Sequence, residues 1–143
     1  MNKQTTTDIH ADVDTVWRHL TTPELMGAWM TSAANLRTKD GGSLSAMNPV
    51  MFDARGKTYE TVVTRFQAPI ELELESNQGP FTARYRYQLE SAGHKTRLVI
   101  TITFAANGLA RLIKPMVAAA VWKTDQDQGE RIAAAVHGAS TDG

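Results

Sequence analysis

Residues 108–137 read GLARLIKPMVAAAVWKTDQDQGERIAAAVH. Leu109, Leu112, Ile113, Met116, Val117, Ala120 and Val121 recur at spacings of three and four, which is one face of a helix. Pro115 has no N–H for the residue four back, so it sits in a first turn or kinks the helix. The pattern predicts a short lead-in from Leu109 and a main helix from about Pro115 to Val136. A helix of about 22 residues is roughly 33 Å long, the width of a small domain. Its apolar face needs a cover, and only the strand-rich middle of the chain can supply one.

That middle alternates with period two. Ile70, Leu72 and Leu74 stand against Glu71, Glu73 and Glu75. Phe81, Ala83, Tyr85, Tyr87 and Leu89 stand against Thr82, Arg84, Arg86 and Gln88, and Leu98, Ile100, Ile102 and Phe104 form a third set. A turn at Ala92-Gly93 pairs Tyr87 with Leu98, Tyr85 with Ile100 and Ala83 with Ile102. A turn near Gln78-Gly79 pairs Leu72 with Tyr85 and Leu74 with Ala83, placing Glu73 opposite Arg84 and Glu71 opposite Arg86 on the other face. The sheet is expected to be antiparallel, charged and wet on one side, apolar on the other.

Further strands are expected over Thr5–His10, Asn35–Lys39, Ser43–Ala54 and Thr58–Phe66, the third interrupted at Asn48-Pro49. One register stays open. A two-residue loop before Ile70 turns Tyr59, Val63 and Arg65 inward; a three-residue Gln-Ala-Pro loop, which the size of Phe66 favours, turns Glu60, Val62, Thr64 and Phe66 inward. Between the first two strands lie two short helices. Asp12 can cap the first, with Ile9, Val13, Val16, Trp17 and Leu20 on one face. Thr22-Pro23-Glu24 opens the second, which is expected to end near Trp29-Met30.

Composition narrows the functional classes. The 143 residues suit one domain, residues 1–143. Fifteen basic and fifteen acidic residues leave no basic excess for nucleic acid. There is no cysteine, which removes disulfides, zinc–thiolate sites and thiol nucleophiles and fits a reducing cytoplasm. Residues 1–7 lack the apolar core of a signal peptide, and no run approaches the roughly 18 apolar residues of a membrane span.

The order of strand, two short helices, about six strands and a long helix resembles the helix-grip fold of the START-like superfamily, which includes polyketide cyclases and the birch pollen allergens. The resemblance rests on Ala11-Asp12-Val13-Asp14-Thr15-Val16-Trp17, on Thr22-Pro23-Glu24-Leu25 with Trp29, on Gly79-Pro80-Phe81, on Lys95-Thr96-Arg97 and on Gly108-Leu109. It covers nearly the whole chain and is nearest the polyketide cyclase/dehydrase-like group. Gly129 stands where similar proteins carry a larger residue. The resemblance implies an α+β fold in which a curved antiparallel sheet of about seven strands wraps a long C-terminal helix and encloses a cavity. Members include enzymes and lipid carriers, so it does not choose a function.

Candidate cavity residues are Leu72, Tyr85, Tyr87 and Ile100 from the sheet, Met26, Trp29, Met30 and Met51 from the arm and its neighbouring strand, and Met116 and Ala120 from the long helix. Methionines adapt to varied apolar ligands, and a buried phenol needs a partner that a ligand carbonyl or hydroxyl could be. The opening is expected between the Trp29-Met30 arm, Asn48-Pro49 and the start of the last helix. His10, His19, His94 and His137 are scattered, without metal spacing, and read as surface or capping residues. Asp125 and Asp127, two apart on a helix, do not face each other. No nucleophile elbow and no phosphate-cradling glycine loop is present, so neither cofactor nor metal is expected. Three readings follow. The first is a carrier of a small apolar or amphipathic molecule such as a lipid. The second is a cyclase, aromatase or dehydratase whose acid–base groups come from Tyr85, Tyr87 and either Glu60 or Arg65. The third is an interaction module with a filled core.

Overall fold

The computed structural model describes residues 2–30 and 33–141, the last three by backbone only. The chain is α+β. Five antiparallel strands form the main sheet in the order β1-β8-β7-β6-β5: β1 (Asn2–Ile9), β5 (Val62–Gln67), β6 (Glu71–Gln78), β7 (Phe81–Ala92) and β8 (Lys95–Ala106). A smaller sheet holds β2 (Ala34–Thr38), β3 (Val50–Ala54) and β4 (Lys57–Glu60). The expected strand over Thr58–Phe66 is therefore two. The break is at buried Thr61, whose N–H and hydroxyl both donate to the Val50 carbonyl, at 3.0 and 2.9 Å. Those bonds carry the chain from one sheet into the other.

The inner face is the expected one. Leu72, Leu74, Tyr87, Leu98, Ile100 and Ile102 are buried and Tyr85 is partly so. Both hairpin registers differ from expectation by two residues: Tyr87 pairs with Ile100 and Tyr85 with Ile102, while Leu72 pairs with Tyr87 and Leu74 with Tyr85. A shift of two keeps every side chain on its face, so the hydrophobic pattern cannot detect it. The turn residues decide it. Gly79 and Gly93 take positive φ as the first central residues of the two-residue turns Gly79-Pro80 and Gly93-His94. On the outer face Arg84 pairs with Glu75 at 2.8 Å and Arg86 with Glu73 at 3.4 Å. These pairs are half-buried but open to solvent on one side, and surface pairs contribute about 0–1 kcal/mol each.

The open register resolves as a mixture. The hairpin loop has three residues, and Phe66 pairs with inward Leu72. A bulge at Thr64 then shifts the strand, so that Val63 pairs with Leu74 and faces inward while Val62 is exposed. Neither Glu60 nor Arg65 reaches the interior. Glu60 meets Lys39 on the surface, and Arg65 meets Glu71 on the outer face.

Helices α1 (Val13–Thr21) and α2 (Pro23–Met26) form the arm. Asp12 Oδ1 accepts from the Thr15 N–H at 2.8 Å, and Val16 and Leu20 are fully buried. Helix α2 stops at Met26, three residues before Trp29, because the chain turns there to bury Trp29, whose indole N–H donates to the His19 carbonyl at 3.0 Å. His19 is thus a core residue rather than a surface or capping one: its Nδ1 lies 3.0 Å from the Thr15 carbonyl.

The C-terminal segment is bent. A 3-10 turn over Gly108–Leu112 leads into α3 (Lys114–Asp125), with Pro115 in its first turn, and a break at Gln126-Asp127 precedes α4 (Gln128–Thr141). In α4 Gln128, Gly129, Ile132, Ala133 and Val136 are buried, and the helix packs on β1, α1 and β8. In α3 only Ala118 is buried.

Candidate functional site

Between α3 and the inner face of the main sheet lies a cavity of about 570 Å³. One wall is β7, whose inward residues Phe81, Ala83, Tyr85 and Tyr87 follow each other at every second position. Leu74 and Phe104 flank it from β6 and β8. The opposite wall is the Val117, Ala120, Val121 and Thr124 face of α3. The sides are Met30 and Ala33 from the arm and Phe52 and Ala54 from β3. Space exists because alanines stand where larger residues would meet. Ala83 sits between Phe81 and Tyr85, and Ala33, Ala54 and Ala120 face inward.

The two ends differ in chemistry. Phe81 and Phe104 stack at one end, ring centres 5.6 Å apart, and Gln78, paired with Phe81, accepts there from Arg55 at 2.7 Å. At the other, Tyr85 Oη donates to Asp125 Oδ2 at 2.7 Å and Tyr87 Oη donates to Gln128 Oε1 at 2.8 Å. Trp29 meets Tyr87 edge-on behind this end, at 5.7 Å. Burial, reinforced by the Asp125 charge, pushes both phenols well above the ordinary tyrosine range, so they stay protonated. Burial also raises Asp125 above the ordinary carboxyl range, against the opposing pull of the Tyr85 hydrogen bond and the Arg131 charge. The result is a carboxyl and two phenols at one end of a largely apolar space.

Of the residues expected to line a cavity, Met30, Tyr85, Tyr87 and Ala120 are on its wall. Met26, Trp29, Leu72 and Ile100 are packed into the core beside it. Met26 and Trp29 are consumed in docking the arm, and Leu72 and Ile100 flank Tyr87 one pair beyond the space. Met51 is off the wall because alternation along β3 gives the cavity Phe52 and Ala54 instead. Met116 is 70% exposed. It lies in the first turn of α3, to one side of the stripe of Val117, Ala120 and Val121, which face the cavity. The Asn48-Pro49 region does not border the cavity: the Asn48 amide closes its own loop, donating to Gly41 and Ser43 carbonyls and accepting from the Asp40 N–H. The space lies along the body of α3 rather than at its start.

Thr124, Asp125 and Gln128 are site residues that the sequence reading passed over. Their signal is the same spacing of three and four continued past Val121, which places polar residues on the apolar stripe. Asp125 shares no face with Asp127, so comparing the two acids does not reveal its role.

Comparison with solved structures places the fold. A conserved protein from Geobacillus kaustophilus superposes with a TM-score of 0.72 at 17% identity, covering 96% of this chain and 95% of that one. Ara h 8.0201 gives 0.68 at 13%, with 96% and 98% covered. DynU16, a putative protein in the dynemicin biosynthetic locus, gives 0.65 at 16%, with 95% of this chain and 47% of that one. At such identities the likeness establishes the helix-grip fold alone. A search of curated proteins finds no match. The sequence model for polyketide cyclase/dehydrase and lipid transport proteins matches residues 2–137, and the chain belongs to that family.

Proposed function

We propose that the protein binds a small apolar or amphipathic molecule in the cavity under α3. The carrying observation is the space itself: about 570 Å³, walled mostly by apolar side chains, with two phenols and a carboxyl at one end and Ser76, Gln78 and Arg55 along the wall toward Phe81. An apolar body fits against Phe81, Phe104 and Val121, with a polar head toward Tyr85 and Asp125. The cavity weighs against an interaction module with a filled core. Family membership and the likeness to a protein of the dynemicin biosynthetic locus are compatible with this reading. Titration with diphenylhexatriene, a hydrocarbon that fluoresces when sequestered, tests it. Saturable binding is expected, weakened at least about tenfold by Ala120→Trp, which fills the space from α3. No fluorescence gain with folded protein would overturn the proposal.

A cyclase or dehydratase is the second reading, and Asp125 is the observation that favours it. A carboxyl whose burial favours its protonated form, beside a phenol in an apolar space, suits general-acid chemistry. In that case Asp125→Asn would keep ligand binding and lose turnover.

A further inference from the structure

The polar end of the cavity has spent its donors. The only hydroxyl proton of Tyr85 is on Asp125 and that of Tyr87 is on Gln128. The Thr124 hydroxyl donates to the Ala120 carbonyl at 3.1 Å. Arg131 donates through Nε to the Trp29 carbonyl at 3.1 Å and through its terminal nitrogens to the Thr124 carbonyl at 3.4 Å. Acceptors remain: the second oxygen of Asp125 and the lone pairs of the Tyr85 hydroxyl. Resting on the reading above, we propose that the cavity selects ligands whose polar head is a neutral hydrogen-bond donor, an alcohol or phenol, over equally long ligands ending in a carbonyl. A carbonyl placed at this end would need a donor and would have to break a protein hydrogen bond to obtain one, leaving Asp125 or Gln128 without its partner. The competing donors are the Gln128 amide at this end and, along the wall toward Phe81, the Ser76 hydroxyl and the Arg55 guanidinium, which donates to Gln78 Oε1 at 2.7 Å. Gln128 is 5% exposed and held by Tyr87, so a ligand head meets Asp125 first. This reverses the role expected for Tyr85, whose hydroxyl serves the protein and not a ligand carbonyl.

Displacement of diphenylhexatriene by n-undecanol and by methyl nonyl ketone, both of eleven carbons, separates the cases. The alcohol is expected to displace the probe at about tenfold lower concentration than the ketone, the scale of one hydrogen bond. Asp125→Asn converts an acceptor into an amide with N–H donors, so the preference shrinks to about twofold or reverses. Tyr85→Phe leaves both Asp125 oxygens free, and the preference for alcohol is kept or enlarged. Equal displacement by both ligands, or tighter binding of the ketone to the unmodified protein, overturns donor selection while the cavity reading stands. Failure of the probe itself to bind removes the cavity reading instead.

A second observation lies outside the cavity. Leu109 and Leu112 are 86% and 82% exposed, and Ile113 and Met116 continue the patch. From Phe104 to Thr124 the chain carries Arg111, Lys114 and Lys123 and no acidic residue, although the whole chain has a net charge of zero. Lys3, Arg111 and Lys114 also rim a depression of about 450 Å³ on the flank of α3 facing away from the cavity, floored by Pro115, Ala118 and Trp122. Apolar side chains projecting from a helix start, with Arg111 and Lys114 interleaved among them, match an anionic bilayer surface. We infer that this tip docks the protein on anionic membranes. Co-sedimentation with phosphatidylcholine vesicles, with and without phosphatidylserine, tests it. Several-fold more protein should pellet with the serine lipid. Arg111→Glu with Lys114→Glu, or Leu109→Ser with Leu112→Ser, should remove the difference while thermal unfolding stays unchanged. Equal pelleting with both vesicles, or a dimer in solution that Leu112→Ser dissolves, overturns the inference.

Discussion

Gly129 of α4 lies directly against Thr7 of β1, so close that a Cβ at residue 129 would collide with the Thr7 hydroxyl and touch Ile100. This close crossing seats the helix on the edge of the sheet, and it explains the glycine at 129. Two effects oppose each other in Gly129→Ala. Helix propensity gains about 1 kcal/mol, and overpacking costs about 1–3 kcal/mol. Overpacking is expected to win, with a net loss of about 1–2 kcal/mol in a urea melt. Thr7→Ala should be mild alone and should recover most of that loss in the double variant. Additive losses would mean that the two residues are not in contact.

Tyr87→Phe should destabilise by about 1–3 kcal/mol, because it leaves the buried Gln128 carbonyl oxygen without its donor. Pairing it with Gln128→Leu should cost less than Tyr87→Phe alone, since both polar partners then go. A urea series on the three variants checks this, and a double variant worse than either single one would contradict it.

Asp125 carries a pH signature. Its folded-state pKa is raised above the ordinary 3.8 by burial. The carboxyl therefore contributes its full share to stability below the ordinary value, and that share is lost as pH rises through the folded value. Asp125→Asn should raise Tm by a few degrees at neutral pH, and the gain should vanish on acidification below the ordinary pKa. A gain that does not change with pH would show that another group is responsible.

Val16 is fully buried where α1 meets the sheet. Val16→Ala should destabilise by about 1–3 kcal/mol, from lost burial and an incompletely closed void. A change below about half a kcal/mol would mean that α1 contributes little to the core.

How far the sequence was legible depends on which physical rule governed each element. Strands β6, β7 and β8 alternate strictly, so their faces could be read; their registers could not, because Leu72 opposite Tyr85 and Leu72 opposite Tyr87 bury the same face. Giving each turn glycine the first central position would have found the correct pairs. At β5 the bulge at Thr64 lets Val63 and Phe66 both face inward, which strict alternation forbids. The break at Gln126-Asp127 carries neither glycine nor proline and is set by tertiary packing, with Gln128 drawn down onto Tyr87. The cavity followed from alanines and tyrosines that were legible. Its polar end was missed because Asp125 shows its meaning only when the helical spacing is carried into a polar run.

The bend at Gln126-Asp127 divides the C-terminal segment into two units of unequal mechanical commitment. Opening α4 would expose Ile132, Ala133 and Val136 and would dismantle the seam with β1 and α1, so its amides should exchange with solvent only through global unfolding. Lifting α3 exposes no large core residue of its own and breaks a few side-chain ties, Tyr85 to Asp125, Arg131 to the Thr124 carbonyl and Lys3 over Trp122. Its amides should therefore exchange through a far cheaper local excursion, one that also uncovers the cavity. A molecule lodged beneath α3 would then appear first as a slowing of exchange at Val117–Thr124, while protection in α4 stayed where it was.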